Sequence, residues 1–185
     1  MDGTLTLAVH DFDAIREMLG LPVGKPILES IAQLPENEAT AIHKRLDDIE
    51  FEIADAATQQ PGAIELLDNL KARGFTLGIL TRNGREIADA TLKAAGLDGY
   101  FTSEAIVSRD CCAPKPEPDG VYLLMDRWQV TPEKVVMTGD YLFDLQAGHK
   151  ARATTVHMDV TGTFSWPEMT DVCVTSLLEL NQLLD

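Results

Sequence analysis

Apolar positions recur at two different periods along the chain, and the change of period divides it. From Pro61 onward, short runs of branched apolar residues alternate with segments whose apolar positions repeat every three or four residues. That alternation is the signature of a parallel sheet covered by helices. Pro61-Gly62 opens a helix through Arg73, with Ile64, Leu66, Leu67 and Leu70 apolar and Gly74 in the capping place. Phe75 to Leu80 reads as a buried strand, Arg85 to Ala95 as a helix stopped by Gly96, and Ala105 to Val107 as a short strand. After the Pro-rich loop Ala113 to Pro118 come a helix over Asp119 to Trp128 and a strand over Val135 to Met137, ending at Gly139. A short helix over Asp144 to Lys150, strands over Thr154 to His157 and Val172 to Val174, and a helix over Leu177 to Leu184 complete the series.

Between Thr6 and Gln60 the pattern is helical, with almost no strand signal. Ile15, Met18 and Leu19 share one face, Ile27, Leu28 and Ile31 another, and Ile42, Leu46, Ile49 and Ile53 mark a long third helix. This predicts a helical insertion in an α/β chain. The acidic run Asp47, Asp48, Glu50, Glu52 and Asp55 interleaves with Ile49 and Ile53, so it reads as the solvated face of that third helix.

A length of 185 residues suits one domain with a smaller insertion. The formal charge of -15 repels nucleic-acid phosphates and anionic membrane surfaces, and excludes both as expected partners. No run of about 18 apolar residues exists to cross a bilayer, and the amino terminus lacks a basic region followed by an apolar stretch. A cytoplasmic location is expected. The three cysteines, with Cys111 and Cys112 adjacent, form neither a disulfide framework nor a zinc pattern and read as reduced thiols.

In an open parallel sheet, chemistry collects at the carboxyl ends of strands. Four segments meet that condition: Asp2-Gly3-Thr4, Thr81-Arg82-Asn83, Lys115, and Asp140 with Asp144. Taken singly each has an ordinary explanation. Thr81 and Asn83 suit caps or turns, Lys115 a solvated charge, Asp144 a helix amino terminus and Asp140 a turn. Together they point elsewhere, because two carboxylates about 4 Å apart repel by roughly 4 kcal/mol at an effective dielectric near 20. Converging Asp2, Asp140 and Asp144 requires a cation, and oxygen-only ligands point to Mg2+. The Thr81 hydroxyl and Lys115 ammonium then suit the remaining oxygens of a phosphoryl group.

The order Asp-Gly-Thr, strand-Thr, loop-Lys and Gly-Asp-x-x-x-Asp resembles the haloacid dehalogenase superfamily along essentially the whole chain. The helical insertion after the first motif, and the return at Pro61-Gly62-Ala63, resemble its phosphoglycolate phosphatase-like branch. The resemblance implies an α/β Rossmann-like parallel sheet with helices on both faces. It assigns residues 1–8 and 61–185 to the core and 9–60 to a small all-helical cap. It also implies a first central strand ahead of Asp2, bearing a nucleophilic Asp two positions upstream, and hence a natural product that continues beyond Met1.

The implied activity is a Mg2+-dependent phosphatase of small phosphomonoesters, phosphoglycolate-like, acting through an aspartyl-phosphate. Asp2 takes the place of the general acid and base, with its backbone carbonyl on the metal. Asp140 and Asp144 match the metal ligands, Thr81 and Lys115 the phosphoryl holders, and Gly3, Arg82 and Asn83 further phosphate contacts. The expected partner is a small phosphorylated metabolite, and the expected state a monomer or homodimer. The alternative is a non-catalytic phosphate- or metal-binding or interaction protein derived from this family. His10, His43, His149 and His157 lack metal-ligand spacing and read as surface or structural, with His10 placed for a substrate contact.

Overall fold

The computed structural model describes residues 1–184. The helical stretch forms α1 (Phe12–Leu19), α2 (Ile27–Ile31) and α3 (Glu36–Asp55). Asp11 caps α1 by accepting from Ala14 N at 2.9 Å, and Gly20 ends it with φ +68°. Ile15, Leu19, Leu21, Ile31 and Leu46 are buried together, with Ile42, Ile49 and Ile53 packed around them. Met18, expected on this apolar face, is instead 50% exposed. Within α1 the buried residues are Ile15 and Leu19.

The remaining elements follow the expected alternation: α4 (Ala63–Ala72), β1 (Ile79–Leu80), α5 (Arg85–Ala94), β2 (Ile106–Val107) and α6 (Asp119–Trp128). Then come β3 (Val136–Gly139), α7 (Leu142–Lys150), β4 (Thr154–Met158), β5 (Val172–Val174) and α8 (Leu177–Gln182). Every strand pair is parallel. Successive strand residues point to opposite faces. Ile79 and Ile106 accordingly join an apolar cluster with α4, α5 and α8, while Leu80 and Val107 join one with α6 and α7. Helices therefore cover both faces.

The strands are divided between two sheets, β1-β2 and β3-β4-β5. No ladder joins β1 to β3 among the described residues. Met1 is buried in the cluster that contains Ile79 of one sheet and Val156 and Met158 of the other, so its side chain lies at their junction. The strand expected over Phe75 to Leu80 shrinks to Ile79–Leu80, and Phe75 is 49% exposed. The physical reason is partnership: β1 pairs only with the two-residue β2, which leaves 75–78 without a ladder. Gly78 is needed for a close approach, since a Cβ there falls 2.8 Å from the Trp128 ring. Helix α7 begins at Leu142, ahead of the expected Asp144, because the Asp144 side chain reaches back to accept from Tyr141 N at 3.2 Å and satisfies the start of the helix.

Candidate active site

The ends of β1 and β3, the loop after β2 and the first residues of the chain open onto one cavity of about 500 Å3. Asp2, Gly3, Thr81, Arg82, Asn83, Lys115, Asp140 and Asp144 all line it. The eight residues singled out from the sequence therefore share one space. Residues of the three-helix segment form the opposite wall, among them His10, Arg16, Lys25 and Glu50.

The carboxylates are held differently. Asp2 accepts from Asn83 Nδ2 at 3.0 Å and from Thr6 Oγ1 at 3.4 Å. Asp140 accepts from Thr4 Oγ1 at 2.7 Å. Asp144 accepts from Lys115 Nζ at 2.5 Å, and Lys115 also donates to the Leu80 carbonyl at 2.8 Å. Thr81 Oγ1 accepts from Asn83 N at 3.1 Å, which ties the residues after β1 into a turn. Gly3 adopts φ +75°, and a Cβ there falls 2.1 Å from Asp140 Oδ2, so the first loop and the end of β3 meet only through glycine.

Burial and the neighbouring Asp144 push the Asp140 carboxyl above its ordinary range, against the opposing pull of the amino terminus and Thr4. Burial also acts upward on Asp144, but Lys115 and then the amino terminus outweigh it and hold this carboxyl low. The pair thus splits into an ionised partner of Lys115 and a carboxylate that a further cation would stabilise.

For Mg2+ the donor chemistry fits: hard carboxylate oxygens with no thiol or imidazole among them. Asp140, raised by burial and by a like charge, is the group a divalent cation would relieve. Among the described residues, however, no group of three His, Cys, Asp or Glu side chains is disposed to hold a metal ion. Asp2, Asp140 and Asp144 share the cavity without forming such a triad.

Arg82, expected to contact phosphate, is engaged elsewhere. Its Nη2 donates to both carboxylate oxygens of Glu29 on α2, at 2.7 and 2.9 Å, and its guanidinium lies over the Phe143 ring. It also donates to the Lys115 carbonyl. Arg109, just after β2, pairs with Asp47 and with Glu50 of α3, the latter at 3.1 Å, and donates to the Arg82 carbonyl at 3.4 Å. Asp48, Glu52 and Asp55 are exposed and Asp47 stays half-exposed, as the acidic run suggested, but Glu50 turns inward to Arg109, a correction to that reading. Burial drives the Glu50 carboxyl up to about 7 despite Arg109, and Asp47 and Asp2 push it further. Arg109, Glu29 and Glu50 were not singled out from the sequence. Arg109 follows a strand and so satisfied the strand-end rule that picked out Thr81.

His10 lines the cavity, as its position suggested. His157 is buried against Phe164 and Trp166. Cys111, Cys112 and Cys173 are free thiols. No helix is long and apolar enough to cross a membrane.

A two-faced parallel α/β core gathers acid, hydroxyl, amide and ammonium groups at its strand ends, a set suited to phosphoryl chemistry. Comparison with known proteins specifies the class. The family model described as haloacid dehalogenase-like hydrolase matches residues 7–158. A phosphoglycolate phosphatase of Escherichia coli O157:H7 is 28% identical over 188 residues, spanning 100% of this chain and 71% of that protein. The protein named probable phosphatase IndB of Dickeya dadantii is 33% identical over 160 residues, spanning 82% of this chain and 69% of its own length. In fold, the chain resembles a solved hydrolase from Pseudomonas syringae with a TM-score of 0.82 at 23% identity, covering 100% of this chain and 94% of that one. The chain belongs to the haloacid dehalogenase-like hydrolase family, and its resemblance is to the phosphoglycolate phosphatase-like branch.

Proposed function

We propose that this protein is a Mg2+-dependent phosphatase of small phosphomonoesters, working through an aspartyl-phosphate whose carboxylate lies two positions ahead of Asp2. The family match and the phosphatase relatives support its class as a phosphoric monoester hydrolase. The observation that carries the finer reading is the meeting of Asp2, Thr81, Lys115, Asp140 and Asp144 in one cavity. Asp2, oriented by Asn83, delivers a proton to the leaving alkoxide and then takes one from the attacking water. Thr81 and Lys115 hold the phosphoryl oxygens by hydroxyl and ammonium. Asp140, with Asp144, would hold Mg2+, which supplies positive charge against those oxygens. The three-helix segment, residues 9–60, acts as a cap that shields the intermediate from bulk water.

A second reading is a non-catalytic phosphate- or metal-binding relative or interaction protein. It is supported by the buried pairing of Lys115 with Asp144, which engages one group assigned to the phosphoryl oxygens and one assigned to the metal. One comparison separates the two. The chain as given and a form extended along its upstream reading frame are assayed on an aryl phosphate with and without Mg2+. Metal-dependent turnover by the extended form, lost on Asp140→Asn, is the expected result. An upstream frame without a strand and an Asp two positions before Asp2 leaves only the binding reading.

A further inference from the structure

The aromatic rings around the cavity differ in how far the protein covers them. Phe12, at the start of α1, lines it from the three-helix segment, and Tyr141 and Phe143, around the start of α7, line it from the core. Phe143 is engaged, because the Arg82 guanidinium lies over its ring at 4.9 Å. Phe12 and Tyr141 are not covered in this way, and stand 55% and 52% exposed. Aromatic side chains left open inside a concave site are the usual lining of a small-molecule pocket.

Both open rings are supported by other rings. Tyr141 stands nearly perpendicular to Phe143 and to Trp166, with centroids 5.1 and 5.4 Å away, so two neighbours fix its plane. Phe12 stacks on the His10 imidazole, with centroids 5.4 Å apart and planes 12° from parallel. Offset-stacked and edge-to-face pairs are the favourable aromatic geometries, so each ring is held in place before any ligand arrives. A ring stacked on one side still has its other face to offer a further planar group. The volume agrees. About 500 Å3 is in the range that accepts a drug-sized ligand, and a phosphoryl group at the strand ends leaves most of it to the leaving group.

We propose that Phe12 and Tyr141 form a stacking subsite, which receives a planar aromatic ring on the leaving group. The substrate class is then a phosphomonoester whose alcohol carries an aryl or heteroaryl ring, its phosphoryl group at the strand ends and its ring against Phe12 and Tyr141. A saturated ring of the same carbon count buries similar area but lacks the flat face and the quadrupole that aromatic pairing uses. The assignment rests on the phosphoryl site proposed above.

Binding tests it without turnover. Benzylphosphonate and cyclohexylmethylphosphonate have the same number of carbons and differ in whether the ring is planar. Their affinities for the protein are measured by titration calorimetry with Mg2+ present. The planar compound is expected to bind about tenfold more tightly, the scale of aromatic pairing beyond buried area. That ratio falls to about threefold in Phe12→Leu and in Tyr141→Leu, and toward one in the double variant. Phe12 is exposed, so its variant keeps the test readable if Tyr141→Leu fails to fold. Pyridylmethylphosphonate, run alongside, distinguishes a heteroaryl from a carbocyclic ring, and tighter binding of either than of the saturated compound supports the subsite. Equal affinities for planar and saturated rings in the unaltered protein, or a ratio unchanged by the substitutions, overturn the subsite alone. Absence of binding by all three phosphonates overturns the phosphoryl site, and the subsite with it.

Discussion

Lys115 Nζ stands 2.5 Å from Asp144 Oδ1, with the two side chains 7% and 9% exposed. Two desolvated charges in contact contribute little net stability as a pair, yet removing one strands the other. Lys115→Ala is therefore expected to destabilise the protein by about 3–5 kcal/mol, visible as a lower urea midpoint at unchanged slope. Replacing both residues together with apolar side chains restores most of that loss. If the single variant is as stable as the parent, the pair is not buried as the geometry has it.

Glu50 gives the stability curve a neutral-pH component. Its folded carboxyl titrates at about 7 and its ordinary value is 4.5, so the folded state binds the extra proton between those values. Stability from this group is full below the unfolded value and is lost as pH rises through the folded one, on the order of 3 kcal/mol in all. Glu50→Gln removes the titration while keeping an acceptor for Arg109. Urea midpoints measured between about pH 5 and about pH 7 should then change less with pH than in the parent.

Gly3→Ala tests the contact between the first loop and β3. The alanine must occupy φ +75° and place its Cβ 2.1 Å from Asp140 Oδ2. Strain of about 1–3 kcal/mol is expected, together with displacement of Asp140. If Asp140 serves the proposed phosphatase site, phosphatase activity should fall far more than melting temperature. A uniform loss of both would point to simple misfolding.

Arg109 clasps α3 through Asp47 and Glu50. In Arg109→Ala both carboxylates lose their partner, and that of Glu50 lies largely inside the protein. Faster amide exchange over Glu36–Asp55 is the expected outcome, with β3 and β4 unaffected. On the proposed phosphatase reading, kcat/KM should fall, because the wall that α3 contributes to the cavity is no longer held. Unchanged exchange in α3 would show that its packing alone holds it there.

The elements with self-contained signals were legible from the chain. Helices α4, α5 and α6 carry their apolar stripe and their stop signals within a dozen residues, and they form close to where the pattern places them. The strand ahead of Thr81 was less so. Its apolar run is long, but strand length depends on a neighbouring ladder, and only Ile79–Leu80 finds one. The site was legible through a positional rule. Residues at the carboxyl ends of parallel strands converge whichever side chains they carry, and all eight candidates line one cavity. Which of them pair was not legible. Arg82 turning to Glu29, and Arg109 to Glu50, depend on how α2 and α3 lie over the core.

By itself, the sequence determined the alternation of strand and helix, the separate helical stretch over 6–60, and the identity of the acid, hydroxyl and ammonium groups at the strand ends. These are local properties, because periodicity and turn chemistry act over a few residues. Only the tertiary structure decided the charge states and commitments of those groups. Asp140 and Asp144 are alike in sequence, four residues apart, yet one is raised and the other lowered. The difference comes from Lys115, 29 residues away along the chain and 2.5 Å away in space. Desolvation and Coulomb energy depend on distance through the fold, and no local pattern encodes that distance.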